Sequence, residues 1–348
     1  MIPHRPLPII SAPMAGGPST PQLVAAVSEA GGLGFLAAGY LSPETMQAQI
    51  TQTRQLTAAP FGVNLFVPET EWPEPQALED YARVLAPLAE RLGTAPPTVG
   101  EFDDDAYPAK LEALFSDPVP VVSFTFGLPS RETVQELQQL GTAVVLTVTS
   151  AEDASAAAAL GPNALAVQGA EAGGHRATLR MSAEPNTLGV LELLAQVREV
   201  TELPLIAAGG IGAPARAAEL IGAGAQAVQV GTAFLTTREA GTKPPHRRAL
   251  HTAAAQDGAP TVVTRAFSGR PARALVNSFT EEFDALAPVG YPYLHHMTSP
   301  LRAAAARTED TEHLNLWAGT SHASCREESA AELTRRFAGP ALSADGGD

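Results

Sequence analysis

The chain has 348 residues, of which 45% are hydrophobic and only 17% charged, and it carries a formal net charge of −15. That length reads as one large or two modest globular domains, and the acidity argues against nucleic acid and anionic membrane surfaces as partners. Cys325 is the single cysteine, so an intrachain disulfide and a multi-thiolate metal site are excluded.

The lone thiol fits a reducing cytoplasm. So do an N-terminus, Met1-Ile2-Pro3-His4-Arg5-Pro6, that does not read as a secretory signal, and the lack of any apolar run of ~20 residues. The expected location is cytoplasmic, and the composition suits a monomer or a homodimer equally.

In chain order, strands are expected at 8–13, 33–38, 61–66, 119–126, 142–148, 164–169, 204–209 and 227–232. These runs are apolar throughout rather than alternating, as parallel strands covered on both faces are. Helices are expected between them. The stretch 20–30 opens with Thr20 as cap and Pro21 as first helical residue, and 43–57 opens with Ser42-Pro43 in the same way. Helices at 130–140, 150–160, 187–200 and 213–222 complete the alternation, four of the six stopping at glycine.

Eight strands alternating with helices point to an α/β fold, a TIM (β/α)8 barrel, with an open doubly wound sheet as the alternative. Residues 1–67 and 118–237 would form the barrel. Residues 68–117, with Pro-rich and acidic patches, and the Ala-rich helical stretch 238–340 would form a smaller, mainly helical substrate cap. Residues 341–348 read as a disordered tail.

In such barrels the chemistry sits at the C-terminal strand ends. The sixth expected strand ends in Gln168-Gly169-Ala170-Glu171-Ala172-Gly173-Gly174-His175. Its glycines allow close backbone approach to a flat ligand, and His175 is a candidate for proton exchange. Glu171 could serve as a second acid but reads rather as a solvated loop charge. Gly209-Gly210 after the seventh strand and Gln229-Val230-Gly231-Thr232 after the eighth are expected to form the phosphate site frequent in these barrels, built from backbone N–H groups and a helix N-terminus; the alternative is that these glycines only end strands and start turns. Ala12, Pro13 and Met14 end the first strand, where their backbone suits one face of a planar ring. Asn64 is an amide inside an apolar strand and needs a partner there; a ring, a ribityl group or a neighbouring loop would serve.

In the C-terminal region, His295 and His296 are adjacent with no acid beside them in sequence, so no metal site is expected. Arg270 and Arg273 read as solvated flanking arginines or as a cation offered to an anionic ligand. No G-x-G-x-x-G after the first strand, no P-loop and no G-x-S-x-G is present, which leaves a Rossmann site, a P-loop and serine hydrolysis unsupported.

These segments together resemble the nitronate monooxygenase family. The resemblance is carried by Ala12-Pro13-Met14-Ala15-Gly16, Phe61-Gly62-Val63-Asn64, Val122-Ser123-Phe124-Thr125-Phe126-Gly127-Leu128-Pro129, Gln168 to Arg176, Ala207 to Ile211 and Gln229 to Thr232. It continues in Gly269-Arg270-Pro271-Ala272-Arg273 and Leu316-Trp317-Ala318-Gly319, so it spans nearly the whole chain. It implies FMN on a TIM barrel, with contacts from Asn64, Gln168, Gly173, Gly210 and Gln229 to Thr232, and His175 as the catalytic histidine. The 122–129 segment resembles the class I members, which act on nitronates without reduced nicotinamides. Ala177, Ala213-Pro214, Ala233 and Thr320 depart from the family pattern and leave the substrate open.

The implied reaction is FMN-dependent denitrification of alkyl nitronates such as propionate 3-nitronate, with O2, to a carbonyl compound and nitrite. Two alternatives stand beside it: an NAD(P)H-dependent flavin reductase of quinones or enoyl thioesters, and a flavin-binding protein without turnover.

Overall fold

A computed structural model describes residues 2–256 and 259–342. Its first six strands are β1 (Ile9–Ser11), β2 (Gly34–Ala37), β3 (Phe61–Phe66), β4 (Val121–Thr125), β5 (Ala143–Val148) and β6 (Ala164–Gln168). A two-residue strand, β7 (Gly174–His175), precedes β8 (Leu205–Ala208) and β9 (Ala227–Val230). All but β7 join one parallel sheet in the order β1-β9-β8-β6-β5-β4-β3-β2. A parallel bridge between Ile10 and Leu33, with Leu33 N–H donating to the Ile9 carbonyl at 2.9 Å, brings the two ends together. The result is the nearly closed α/β TIM barrel expected from the alternation.

Strand register sorts the side chains. Ile10, Phe35, Val121, Val145, Ala166 and Ile206 point inward and fill the barrel. Residues one position along each strand face the helices and form the main core, Val63, Val122 and Leu165 among them. Bulk and gap are matched inside: a Cβ at Gly62 would lie 2.2 Å from the Phe35 ring, so the ring occupies what a side chain there would need.

The helices form where their caps predict. Thr20, Ser42, Ser130 and Ser150 each accept a hydrogen bond from the backbone N–H three residues on, and they start α1 (Pro21–Glu29), α2 (Pro43–Leu56), α5 (Arg131–Gln139) and α6 (Ala151–Ala158). Between the first and second pairs lie α3 (Pro75–Arg91) and α4 (Tyr107–Ser116), and α7 (Val190–Val200) and α8 (Pro214–Gly222) complete the ring.

The expected cap stretches divide between two cores. Leu78, Tyr81 and Leu85 of α3 pack with Phe267, Phe279 and Phe283 in a separate apolar cluster. Leu111 and Leu114 of α4 instead join the barrel core, as do Leu333 and Phe337 of α12 (Ala330–Leu342). The rest of the C-terminal region holds α9 (Pro244–Ala255), α10 (Ser278–Phe283) and α11 (Tyr293–Arg307). It also holds two strands the sequence reading did not expect, β10 (Thr261–Thr264) and β11 (Ala272–Leu275), which pair antiparallel with each other and with β7. Ala341 and Leu342, expected in the tail, end α12, while 343–348 lie outside the described residues. Among the described residues no helix is long and apolar enough to cross a membrane.

Candidate active site

The inward register that fills the barrel with apolar groups becomes polar at the C-terminal strand ends. One step above the apolar layer stand Asn64 of β3, Ser123 and Thr125 of β4, Thr147 of β5, Gln168 of β6 and Gln229 of β9. They floor a cavity of about 440 Å³, a size typical of cofactor and small-molecule sites. The Asn64 Oδ1 accepts from Ser123 Oγ at 2.8 Å and Thr125 Oγ1 at 3.0 Å. This fixes the amide with Nδ2 left to donate, since among the described residues none accepts from it.

The walls come from the loops above. Ala12, Pro13 and Met14 line one side; Ala12 N–H is held by the Val230 carbonyl at 2.8 Å and Met14 N–H by Ser19 Oγ at 2.9 Å. Gly209 and Gly210 turn the chain between β8 and α8 with φ of +109° and +67°, values that favour glycine. Val230, Gly231 and Thr232 follow β9. Thr232 Oγ1 accepts from Gly319 N–H at 2.9 Å and so ties this loop to the C-terminal region. Gly173 packs against the same segment, where an added Cβ would stand 2.4 Å from the Gly319 nitrogen. All thirteen residues singled out as site candidates from sequence line this one cavity.

Gln168 holds the histidine segment. Its Nε2 donates to the His175 carbonyl at 3.1 Å and its Oε1 accepts from Ala177 N–H at 2.9 Å. His175 sits on β7 opposite Ala272 of β11. Its Nε2 lies 2.8 Å from Ser268 Oγ, and Ser268 in turn donates to the Arg270 carbonyl at 3.2 Å. A carbonyl only accepts, so the chain runs from His175 Nε2–H to Ser268 to Arg270. The Nδ1 lone pair remains for the cavity. The rings of Phe126, Tyr291 and Trp317 enclose the imidazole at centroid distances of 5.4, 6.1 and 5.4 Å. Burial, with the Arg270 and Arg302 charges, lowers its pKa to about 3. His175 is therefore neutral at physiological pH.

Several sequence readings change here. Glu171 is not a solvated charge: its carboxylate accepts from Val190 N–H at the start of α7, at 2.9 Å, and lies 3.5 Å from Arg216. Arg270 is fully buried. It pairs with Glu69, donates to the Thr178 carbonyl at 2.9 Å and stacks over Phe126 at 4.4 Å. Arg273 donates to the Ala170 carbonyl at 2.9 Å and to Thr261 Oγ1 at 3.0 Å. Neither arginine is among the described residues that line the cavity; both tie the C-terminal region to the loops above the barrel. The two adjacent histidines diverge. His296 meets Asp103 at 2.9 Å, while His295 stacks on Tyr40 at 3.9 Å and lines the cavity.

Sequence reasoning missed Tyr40, Lys243, His246, Ser268, Arg302 and Trp317, all in the cavity wall. Of these, Trp317 and Ser268 stood within or beside quoted motifs, whereas Lys243 and Arg302 belong to helical stretches with no local signal. Burial lowers the His246 pKa to about 4 while its Nε2 meets the Trp317 carbonyl at 3.1 Å, and burial pushes the Tyr40 hydroxyl up to about 12.

Comparison with known proteins agrees with this geometry. The family model for nitronate monooxygenase matches residues 4–338. A relative from Staphylococcus aureus strain Newman, named "Probable nitronate monooxygenase", is 37% identical over 318 residues, covering 90% of this chain and 88% of its own. The crystal structure of nitroalkane oxidase from Streptomyces ansochromogenes is 50% identical and superposes with a TM-score of 0.92, covering 96% of this chain and 95% of that one. FabK from Thermotoga maritima is more distant, at 26% identity and a TM-score of 0.73 over 96% and 92%. A barrel with a histidine-bearing cavity at its strand ends, matched along almost its whole length, belongs to the nitronate monooxygenase family and is an oxidoreductase of that family.

Proposed function

We propose that the cavity binds FMN and that the chain oxidises alkyl nitronates, propionate 3-nitronate among them, with O2 to a carbonyl compound and nitrite. The observation that carries this reading is the convergence of the glycine loops after β8 and β9, the amide floor and His175 on one cavity. The residues fit the cofactor. A Cβ at Gly174 would meet nothing within 4 Å, and at Gly231 only Ala12 Cβ at 3.5 Å, so both glycines leave cavity volume that side chains would fill. The Gly209-Gly210 turn, leading to the α8 N-terminus, suits a phosphate, and Asn64 Nδ2 and Gln229 suit the polar edge and ribityl hydroxyls.

Bound there, the flavin supplies electron acceptance and oxygen chemistry, while the protein binds, orients and excludes water. His175 meets the reacting group through Nδ1. As a neutral imidazole it takes a proton from a neutral nitroalkane carbon. With an anionic nitronate beside it, the opposite charge raises its pKa and it holds that proton as a hydrogen-bond donor. The enclosing rings of Phe126, Tyr291 and Trp317 keep bulk water from this exchange. Cytoplasmic placement and a detoxifying use of the reaction belong to the same reading, the first supported by the unpaired, buried Cys325.

One rival on the same scaffold is an NAD(P)H-dependent flavin reductase of quinones or enoyl thioesters. An anaerobic visible spectrum separates the two. The purified protein is mixed in turn with propionate 3-nitronate, NADH and NADPH. A rapid change in the flavin spectrum with nitronate alone, followed by nitrite release in air, is expected. Bleaching by a nicotinamide with no response to nitronate would overturn the proposal.

A further inference from the structure

We propose that Arg302 and Lys243 form an anion subsite in the cavity that takes a second acidic group of the substrate, a carboxylate, so that the enzyme selects short nitronates that carry one. This rests on the nitronate reading only for what occupies the other end of the ligand.

Among the described residues, Arg302 and Lys243 are the only Lys or Arg side chains that line the cavity. Neither is paired with a carboxylate among the described residues, whereas Arg270 and Arg216, close behind the wall, are. The one acid in the lining among the described residues, Glu171, is already held by Val190 N–H and Arg216. On a chain of net charge −15, two uncompensated cations in one concave wall are a local reversal of sign, and a concave, low-dielectric wall focuses that field on its ligand.

The Arg302 guanidinium is held in place without being used up. Its Nε donates to Thr298 Oγ1 at 3.2 Å and one terminal nitrogen to the His295 carbonyl at 2.8 Å, both on its own helix α11. Thr298 is fixed in turn by donating to the Phe267 carbonyl at 2.6 Å. The second terminal nitrogen has no acceptor among the described residues. Lys243 occupies the N-cap position of α9 without a side-chain capping bond, lines the cavity and is exposed. The neighbouring His175, His246 and His295 are all held neutral by burial, so the positive charge of this wall comes from Arg302 and Lys243.

The two cations act on one another, the Arg302 charge lowering the Lys243 pKa beside the effect of burial. Arg302 lies on the side of His175 and Tyr40, whose ring stacks on the adjoining His295. A nitronate brings one negative charge to His175. The second charge this wall can take is a carboxylate further along a short chain.

The test uses ligands that do not react. Succinate is the isostere of propionate 3-nitronate, with a carboxylate for the nitronate, and butyrate lacks one charge. Calorimetric titration of the flavin-loaded protein should show succinate binding about tenfold or more tightly than butyrate, the range a close charge pair supplies. Arg302→Met and Lys243→Met should each shrink that difference, and Arg302→Lys should restore most of it. Lys243 is exposed, so its variant tests the idea even if Arg302→Met fails to fold. Equal binding of the two acids by the wild type, or a succinate advantage that survives both methionine variants, would overturn the proposal. So would loss of flavin from Arg302→Met, which would assign the cation to the cofactor. No turnover is needed, so a failed nitronate spectrum and a failed titration remain distinct results.

Discussion

His175 shows how little of a residue's chemistry lies in its identity. From sequence it was a histidine after two glycines at a strand end. In the structure it is a neutral imidazole with one nitrogen assigned by Ser268 and its backbone held by Gln168. We expect His175→Ala to keep the flavin and lose turnover by about 10²–10⁴-fold, the usual share of a positioned proton-transfer group. Ser268→Ala leaves the ring in place but frees the tautomer, and a smaller loss, on the order of tenfold, is expected in kcat rather than KM. Steady-state nitrite release with flavin content measured alongside checks both, and unchanged turnover in His175→Ala would remove it from the mechanism. Gln168 was read as a ligand contact, and it does line the cavity. Its two bonds to the 175–177 backbone were not legible, because they depend on where the pairing of β7 with β11 holds that segment.

At the scale of elements, the barrel was legible because its strands are short apolar runs, several of them between a glycine that ends one helix and a Ser or Thr that caps the next, and each such unit is local. The sheet of β10, β11 and β7 was not. β7 has two residues, and its partner β11 lies almost a hundred positions later, so no periodicity marks either; only the β-branched run Thr261-Val262-Val263-Thr264 carried a strand signal. This sheet nonetheless positions the catalytic candidate, and its loop is locked by the contact of Gly173 with Ala318 and Gly319. A methyl at Gly173 would lie 2.4 Å from the Gly319 nitrogen and 2.6 Å from the Ala318 carbonyl carbon. Both are backbone atoms that cannot swing aside. Gly173→Ala is therefore expected to cost about 1–3 kcal/mol, as overpacking does. It should also weaken flavin retention, because the cavity wall moves with the loop. Urea unfolding with flavin content read on the same samples tests this; an unchanged midpoint and full flavin would show that the two segments separate freely.

At the scale of the whole molecule, the low fraction of charged residues and the acidic balance said which partners to exclude, but not that the fold would hold three neutral histidines around one cavity. His175 is lowered to about 3, His246 to about 4, and His295 well below its usual value, each chiefly by burial. In the unfolded chain all three titrate near pH 6.5. Between those values the unfolded state binds protons that the native state refuses, so stability rises with pH across the window. The histidine contribution is complete above about pH 6.5 and is lost as pH falls toward the native values. Glu71 and Glu332, held low by their hydrogen bonds, destabilise in acid too, but only below the ordinary carboxylate range. Glu69 and Asp105 are raised by burial and act with the opposite sign, though each faces a cation, Arg270 and Lys110. The net expectation is a urea midpoint that drops between pH 7 and pH 5, with proton uptake on unfolding, before the carboxylates titrate. His246→Asn should flatten part of that slope, since it removes one titrating group while keeping a donor for the Trp317 carbonyl. A midpoint constant from pH 7 to pH 5 would mean that these imidazoles stay wet enough to protonate in the native state, and the neutral wall on which the anion subsite depends would have to be redrawn.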